Sequence, residues 1–159
     1  VGHSEHHASH HEIYELCAAK VQAAYTYDLT PVLYVGEALE VREAGTHVDF
    51  TLEQLRGSIA GLSANQAETL VVAYEPVWAI GTGKVATADD AQEMSAAIRA
   101  EFEKLYSADV AQKVRILYGG SVKSSSAPSI MGKEDVDGVL VGGASLQAEE
   151  FAAIARFDA

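Results

Sequence analysis

Apolar segments that each run directly into glycine or glutamate constrain the fold of this 159-residue chain more than any other feature. Four such segments occur, at residues 32–35, 70–74, 115–118 and 138–141, and helical patterns lie between them. Short apolar runs are typical of strands buried on both faces, and strands that alternate with helices form parallel βαβ units. We therefore predict an α/β fold with parallel strands, whose functional site lies at their carboxyl ends.

The helices between these strands are predicted from periodicity and from start signals. Apolar side chains recur with a helical period in residues 12–25 and lie on one face in residues 149–157. Residues 51–59 are predicted to form a further helix. Thr87 followed by Asp90 has the spacing of a capping box, which predicts a helix that runs from there to about Tyr106.

The composition argues against several classes of partner. A net charge of -12 and a pI near 4.8 disfavour nucleic acids and anionic membranes, because both require a basic surface. No apolar run approaches the roughly 18 residues that span a membrane. Cys17 is the only cysteine, which fits a cytoplasmic protein without disulfides. A small phosphorylated ligand remains compatible, because backbone N–H groups bind phosphate without adding charge.

Residues 74–84 (YEPVWAIGTGK) contain the strongest candidate for a catalytic group. Glu75 stands at the carboxyl end of a predicted strand, and Pro76 restricts the backbone beside it. Gly81 and Gly83 follow as hinges. This arrangement indicates a general base followed by a closing lid, rather than a solvated glutamate at a strand end.

Two glycine turns follow the last two predicted strands, at residues 119–121 (GGS) and at Gly142 and Gly143. Glycine allows main-chain N–H groups to approach phosphate oxygens closely. We therefore predict a phosphate site between the two turns. Their spacing matches neither a Walker nor a dinucleotide motif.

Five histidines lie within residues 3–11. On a helix, His6 with His10 and His7 with His11 would be i,i+4 pairs, a geometry that zinc can use. The metalloprotease pattern is incomplete, so a solvated, histidine-rich loop is the favoured interpretation, and no metal site is expected.

These motifs, in this order, resemble the triosephosphate isomerase family. The likeness covers essentially the whole chain and includes residues 2–5 (GHSE), 35–37 (VGE), 42–45 (REAG), 74–84, 118–122 (YGGSV) and 135–145. It implies the C-terminal portion of a (β/α)₈ TIM barrel, from the end of strand 4 to the C-terminus. Residues 1–159 would then form a single partial domain, with strands 1–3 upstream, because a whole barrel has roughly 250 residues.

The resemblance also implies an activity, the interconversion of dihydroxyacetone phosphate and D-glyceraldehyde 3-phosphate through an enediolate, in glycolysis and gluconeogenesis. Glu75 would be the base and His3 the electrophile, a pairing that is this family's own pattern and not a deduction from spacing. Glu5 and Ser4 would support the site. The phosphate would be bound at Gly81, Ser121, Gly142 and Gly143. No cofactor or metal is implied, and the full-length protein is expected to be a homodimer.

Three departures from the family pattern stand out. His6 and His7 occupy the positions of two arginines, and Tyr34 occupies the position of a cysteine. The family's catalytic lysine follows the first strand, and neither Lys84 nor Lys123 has a matching position. We therefore expect the isolated chain to be inactive.

Two alternatives remain open. The first is a non-catalytic, phosphate-binding half-barrel or pseudoenzyme that associates through its strand edges. The second is a different phosphate-binding barrel enzyme, although residues 74–84 argue against it.

Overall fold

The computed structural model describes residues 1–80, 82 and 84–158. In this part of the chain, one parallel sheet contains four strands, each paired with the next. They are β1 (Val32–Val35), β2 (Val71–Tyr74), β3 (Arg115–Tyr118) and β4 (Gly138–Val139). The predicted α/β fold with parallel strands is confirmed.

The last strand is shorter than predicted, because β4 ends at Val139 and not at residue 141. Val139 pairs with Tyr118, where β3 ends, so the ladder has no further residue of β3 to pair with. Only the Leu140 N–H still bonds to the Tyr118 carbonyl, at 2.9 Å.

The other edge of the sheet carries an additional contact. The Val1 amino group donates to the Val32 carbonyl at 2.8 Å, and the Tyr34 N–H donates to the Val1 carbonyl at 2.9 Å. Val1 therefore bonds along the edge of β1 in the manner of a residue in a fifth strand.

Helices connect the strands. They are α1 (Ser4–His10), α2 (Tyr14–Thr26), α3 (Leu39–Glu43), α4 (His47–Ser58), α5 (Ala64–Ala67), α6 (Ala88–Leu105), α7 (Ala108–Lys113), α8 (Ala127–Met131) and α9 (Ala148–Ala155). Short 3₁₀ turns cover Val77–Ala79 and Gly143–Leu146. Among the helices described, none is long and apolar enough to cross a membrane.

Helix α1 corrects the sequence interpretation, which favoured a loop for the histidine-rich segment. His3 caps this helix, because its Nδ1 accepts a hydrogen bond from the Glu5 N–H at 3.3 Å. The helix ends at His10, and the capping residue after it, His11, has a left-handed φ of 52°. His7 and His11 are therefore not a helical pair.

The core lies between one face of the sheet and the helices. Leu33, Val72 and Ile116 are register partners in β1, β2 and β3, and all three are fully buried. They belong to one apolar cluster that includes Leu55 of α4 and Ile98 of α6. This packing fixes the sheet against its helices and so positions the loops that follow each strand.

Helix α6 begins with the predicted capping box. The Asp90 N–H donates to Thr87 Oγ1 at 3.1 Å, and the Thr87 N–H donates to Asp90 Oδ2 at 2.7 Å. Arg42 also bonds to the Asp90 carboxylate. Burial opposes ionisation here, but the Thr87 hydrogen bonds and the Arg42 charge outweigh it and lower the pKa of Asp90.

We predict that Asp90→Asn lowers the free energy of unfolding by about 1 kcal/mol at neutral pH. Because the folded pKa is lowered, this stabilisation is fully present above the unfolded pKa of about 3.9 and is lost as pH falls through the folded value. Urea unfolding over a pH series measures it. Asp49→Asn, at an exposed position in the first turn of α4, is the control. A difference between wild type and Asp90→Asn that stays constant into strong acid would contradict the assignment.

Candidate active site

A cavity of about 410 Å³ lies at the carboxyl ends of the strands. Its lining includes five of the residues predicted for the site, which are His3, Glu75, Ser121, Gly142 and Gly143. Residues from distant parts of the sequence meet there because parallel strands end at the same edge of a sheet.

Glu75 is held at this edge by the sheet itself. Its N–H donates to the Val35 carbonyl at 2.8 Å, which continues the ladder one residue beyond β2. The residue is only 5% exposed. One carboxylate oxygen lies 3.2 Å from His3 Nε2, and the other accepts the Ser4 N–H at 3.2 Å.

His3 is oriented by the start of α1. Its Nδ1 accepts the Glu5 N–H, so the proton of the neutral ring resides on Nε2. That Nε2 faces the Glu75 carboxylate and lines the cavity. The ring also contacts Tyr34 edge to face, with centroids 5.1 Å apart. The site therefore presents a carboxylate and an imidazole N–H donor side by side.

The two predicted supporting residues act differently from one another. Ser4 contributes its backbone N–H to Glu75. Glu5 is exposed and does not line the cavity, and within residues 1–80, 82 and 84–158 its carboxylate has no hydrogen bond or ion pair. Its predicted role stays a prediction.

The glycine turns also line the cavity. A Cβ built on Gly142 or Gly143 would meet nothing within 4 Å, so both backbones face open space. Among the described hydrogen bonds, none uses the N–H of Ser121, Gly142 or Gly143 as donor. These groups are available to bind an anion.

The structure describes only part of the predicted lid, because Gly81 and Gly83 lie outside the described residues. Between them, the Thr82 hydroxyl donates to the Trp78 carbonyl at 2.6 Å. Ile80, which is 44% exposed, lines the cavity. Closure of this segment stays a prediction.

A buried polar group behind the lid segment was missed by the sequence analysis. Glu37 is fully buried, accepts the Tyr74 hydroxyl at 3.1 Å and lies 3.7 Å from Arg42 Nη1. The Arg42 guanidinium in turn lies 5.3 Å from the centre of the Trp78 ring. Burial raises the pKa of Glu37, although the Tyr74 and Arg42 contacts oppose this. The signal available in the sequence was a glutamate next to Gly36, the glycine that follows the predicted strand.

The two lysines named above differ in position. Lys84 pairs with Glu43 at 2.9 Å, outside the cavity. Lys123 lines the cavity on the side of the glycine turns.

Gly36 determines how closely β1 and β2 approach at the site. A Cβ at this position would lie 1.8 Å from the Glu75 carbonyl oxygen, which is part of the backbone and cannot rotate away. We predict that Gly36→Ala lowers the free energy of unfolding by about 3 kcal/mol or more, through overpacking.

Chemical denaturation measures the effect of Gly36→Ala. Gly143→Ala is the matched control, because its added methyl group meets nothing within 4 Å. We expect Gly143→Ala to change stability by about 0.5 kcal/mol at most. Equal stability of the two variants would show that the strands do not approach as closely as described.

Fold and site together define a parallel α/β protein with a carboxylate, an imidazole and unpaired backbone N–H groups of the described residues at the strand ends. A model of the family described as triosephosphate isomerase matches residues 1–158.

Individual relatives agree with this match. The triosephosphate isomerase of Streptomyces avermitilis is 61% identical over 157 residues, which cover 99% of this chain and 61% of the relative. That of Streptomyces coelicolor is 60% identical over 157 residues, which again cover 99% of this chain and 61% of the relative. That of Mycobacterium avium is 57% identical over 159 residues, which cover 100% of this chain and 61% of the relative.

This chain belongs to the triosephosphate isomerase family, as the resemblance predicted. It spans 61% of the length of these curated relatives.

Proposed function

We propose that this chain is the C-terminal part, about strands 4–8, of a (β/α)₈ barrel that interconverts dihydroxyacetone phosphate and D-glyceraldehyde 3-phosphate. The observation that carries the proposal is the direct contact between Glu75 and His3 on a cavity walled by free backbone N–H groups. Two features of the sheet support the barrel. Val1 bonds along β1, and the sheet face opposite the core is only partly covered in β1, at Val32 and Tyr34.

The proposed chemistry is a proton transfer between neighbouring carbons. The Glu75 carboxylate removes a proton from the carbon beside the substrate carbonyl and returns it to the other carbon. His3 donates Nε2–H to the carbonyl oxygen and then exchanges protons between the two oxygens of the enediolate. The His3 and Ser4 contacts now made by the carboxylate are released when substrate enters.

The substrate phosphate would be bound by backbone donors. Ser121, Gly142 and Gly143 offer N–H groups on the cavity wall, and Gly81 would add another on closure of the lid. Such donors explain how a chain of net charge -12 can bind an anionic substrate.

Other parts of the proposal depend on the rest of the barrel. The catalytic lysine would come from an upstream segment and would pair with Glu5. The isolated chain would be inactive, and the whole protein would be a cytoplasmic homodimer. The reaction itself requires no cofactor or metal.

The test is Glu75→Gln in the intact protein that carries this chain. The amide keeps the shape of the side chain but cannot accept the substrate proton, so kcat should fall by about 10²- to 10⁴-fold with little change in KM. Glu103→Gln, at an exposed position on α6, is the control and should retain full activity.

Isomerase activity that survives Glu75→Gln would overturn the assignment of the base. The non-catalytic alternative is tested on the same samples, by intact mass and by calorimetric titration with inorganic phosphate. A native mass of 16.9 kDa, with phosphate binding but no turnover, would support a binding protein instead.

A further inference from the structure

A second cluster of chemically active side chains lies where α1 meets α2. His7, Glu12 and Cys17 each offer one ligand atom, and these three atoms all lie within 4.8 Å of one another. None of the three lines the cavity between His3 and the glycine turns. The cluster therefore lies outside that cavity, although His7 and Glu12 line an adjoining cavity with Glu75.

The hydrogen bonds of His7 engage one ring nitrogen closely and the other only through a long contact with Gln54. Its Nδ1 lies 2.5 Å from the Glu12 carbonyl oxygen and must donate to it, so Nε2 carries a lone pair. The Gln54 side-chain oxygen accepts the Gly36 N–H at 2.8 Å, which turns the Gln54 amide nitrogen toward His7 Nε2, at 3.4 Å. A histidine whose other nitrogen donates to a backbone carbonyl is in the form that binds metals.

Glu12 has an unsatisfied buried oxygen. The residue is 4% exposed, and its Oε2 has no hydrogen-bond partner among the described residues. His6 Nδ1 is 3.7 Å away, too far for a hydrogen bond. A buried carboxylate oxygen without a partner is costly, and a bound cation would remove that cost.

Cys17 is fully buried beside Glu12. Burial raises the pKa of its thiol, and the Glu12 charge adds to this. A coordinating zinc ion deprotonates a thiol: the proton leaves to solvent as the Zn–S bond forms.

Gly2 keeps the space between the sulfur and the imidazole open. Its φ is +74°, and a Cβ built there would lie 3.4 Å from Cys17 Sγ and 3.6 Å from His7 Nε2. Because no side chain fills this point, the two ligand atoms can approach a common centre.

We propose that His7, Glu12 and Cys17 form a zinc site with three protein ligands. Imidazole, carboxylate and thiolate together suit Zn²⁺, and a water molecule from the adjoining cavity of about 430 Å³ would complete the tetrahedron. Tetrahedral zinc places its ligand atoms roughly 3.5 Å apart, so the side chains would close by about an ångström. The ion would tie α1 to α2 and so fix the helix that begins beside His3.

Lys20 is the competitor for this site. It bonds to the other Glu12 oxygen, Oε1, and its positive charge disfavours a nearby cation. The side chain is 45% exposed and can turn into solvent. Lys20→Gln should therefore tighten zinc binding several-fold. If Lys20 had only a structural role, the same substitution would leave the zinc affinity unchanged.

The experiment titrates Zn²⁺ into intact, untagged, metal-free protein and records the absorption spectrum with Co²⁺. We expect one metal per chain, a thiolate-to-cobalt charge-transfer band and a higher melting temperature with zinc. Cys17→Ala should abolish the band, and His7→Gln and Glu12→Gln should each weaken binding at least about ten-fold.

The control variant is His10→Gln, which removes an exposed histidine of the same helix. His6 and His10, whose rings lie 5.8 Å apart, are the alternative surface site. Binding that survives Cys17→Ala but is lost in His10→Gln would place the metal there and overturn the proposal, as would an absence of zinc binding by the wild type.

The test does not depend on a single variant. If Cys17→Ala fails to fold, the proposal is tested by the cobalt spectrum of the wild type and by the zinc affinity of His7→Gln. Because His7 is only half-buried, His7→Gln is expected to fold. Isomerase activity is not a readout, so either result leaves the proposed function unaffected.

Discussion

The close backbone approach of β1 and β2 at their carboxyl ends is the constraint on which the candidate site depends. The Glu75 N–H reaches the Val35 carbonyl at 2.8 Å, and only glycine fits at position 36. This ladder places the Glu75 carboxylate beside the start of α1, where Ser4 and His3 contact it. A carboxylate on a mobile loop would have to lose more conformational entropy to reach the same position.

Much of this arrangement could be predicted because it depends on local sequence. Buried parallel strands show as apolar runs, and the Thr87–Asp90 capping box was correctly placed by its spacing. Helix α1 could not be predicted, since its polar sequence has no apolar stripe and no residue of it is buried. Glu37 and its contacts with Tyr74 and Arg42 depend on how distant segments pack, which a single sequence does not reveal.

Charge is distributed so that an acidic protein can still present an anion site. The two buried glutamates at the strand ends have partners: Glu75 contacts His3 and Ser4, and Glu37 contacts Tyr74 and Arg42. The cavity is also lined by the glycine turns, Ser121 and the cationic Lys123. The net charge of -12 therefore does not describe the local field at the site.

The surroundings of Glu12 show what changes when His6 and His7 stand in place of two arginines. Arginines there would carry permanent charges, which neutral imidazoles do not. The charge that Glu12 requires comes instead from Lys20, which reaches only one of the two carboxylate oxygens. His7 lies beside a buried thiol and the unsatisfied Glu12 oxygen, and its Nδ1 is bound to the Glu12 carbonyl. Replacing a fixed cation by a neutral nitrogen ligand turns a position suited to an ion pair into one suited to a metal ion.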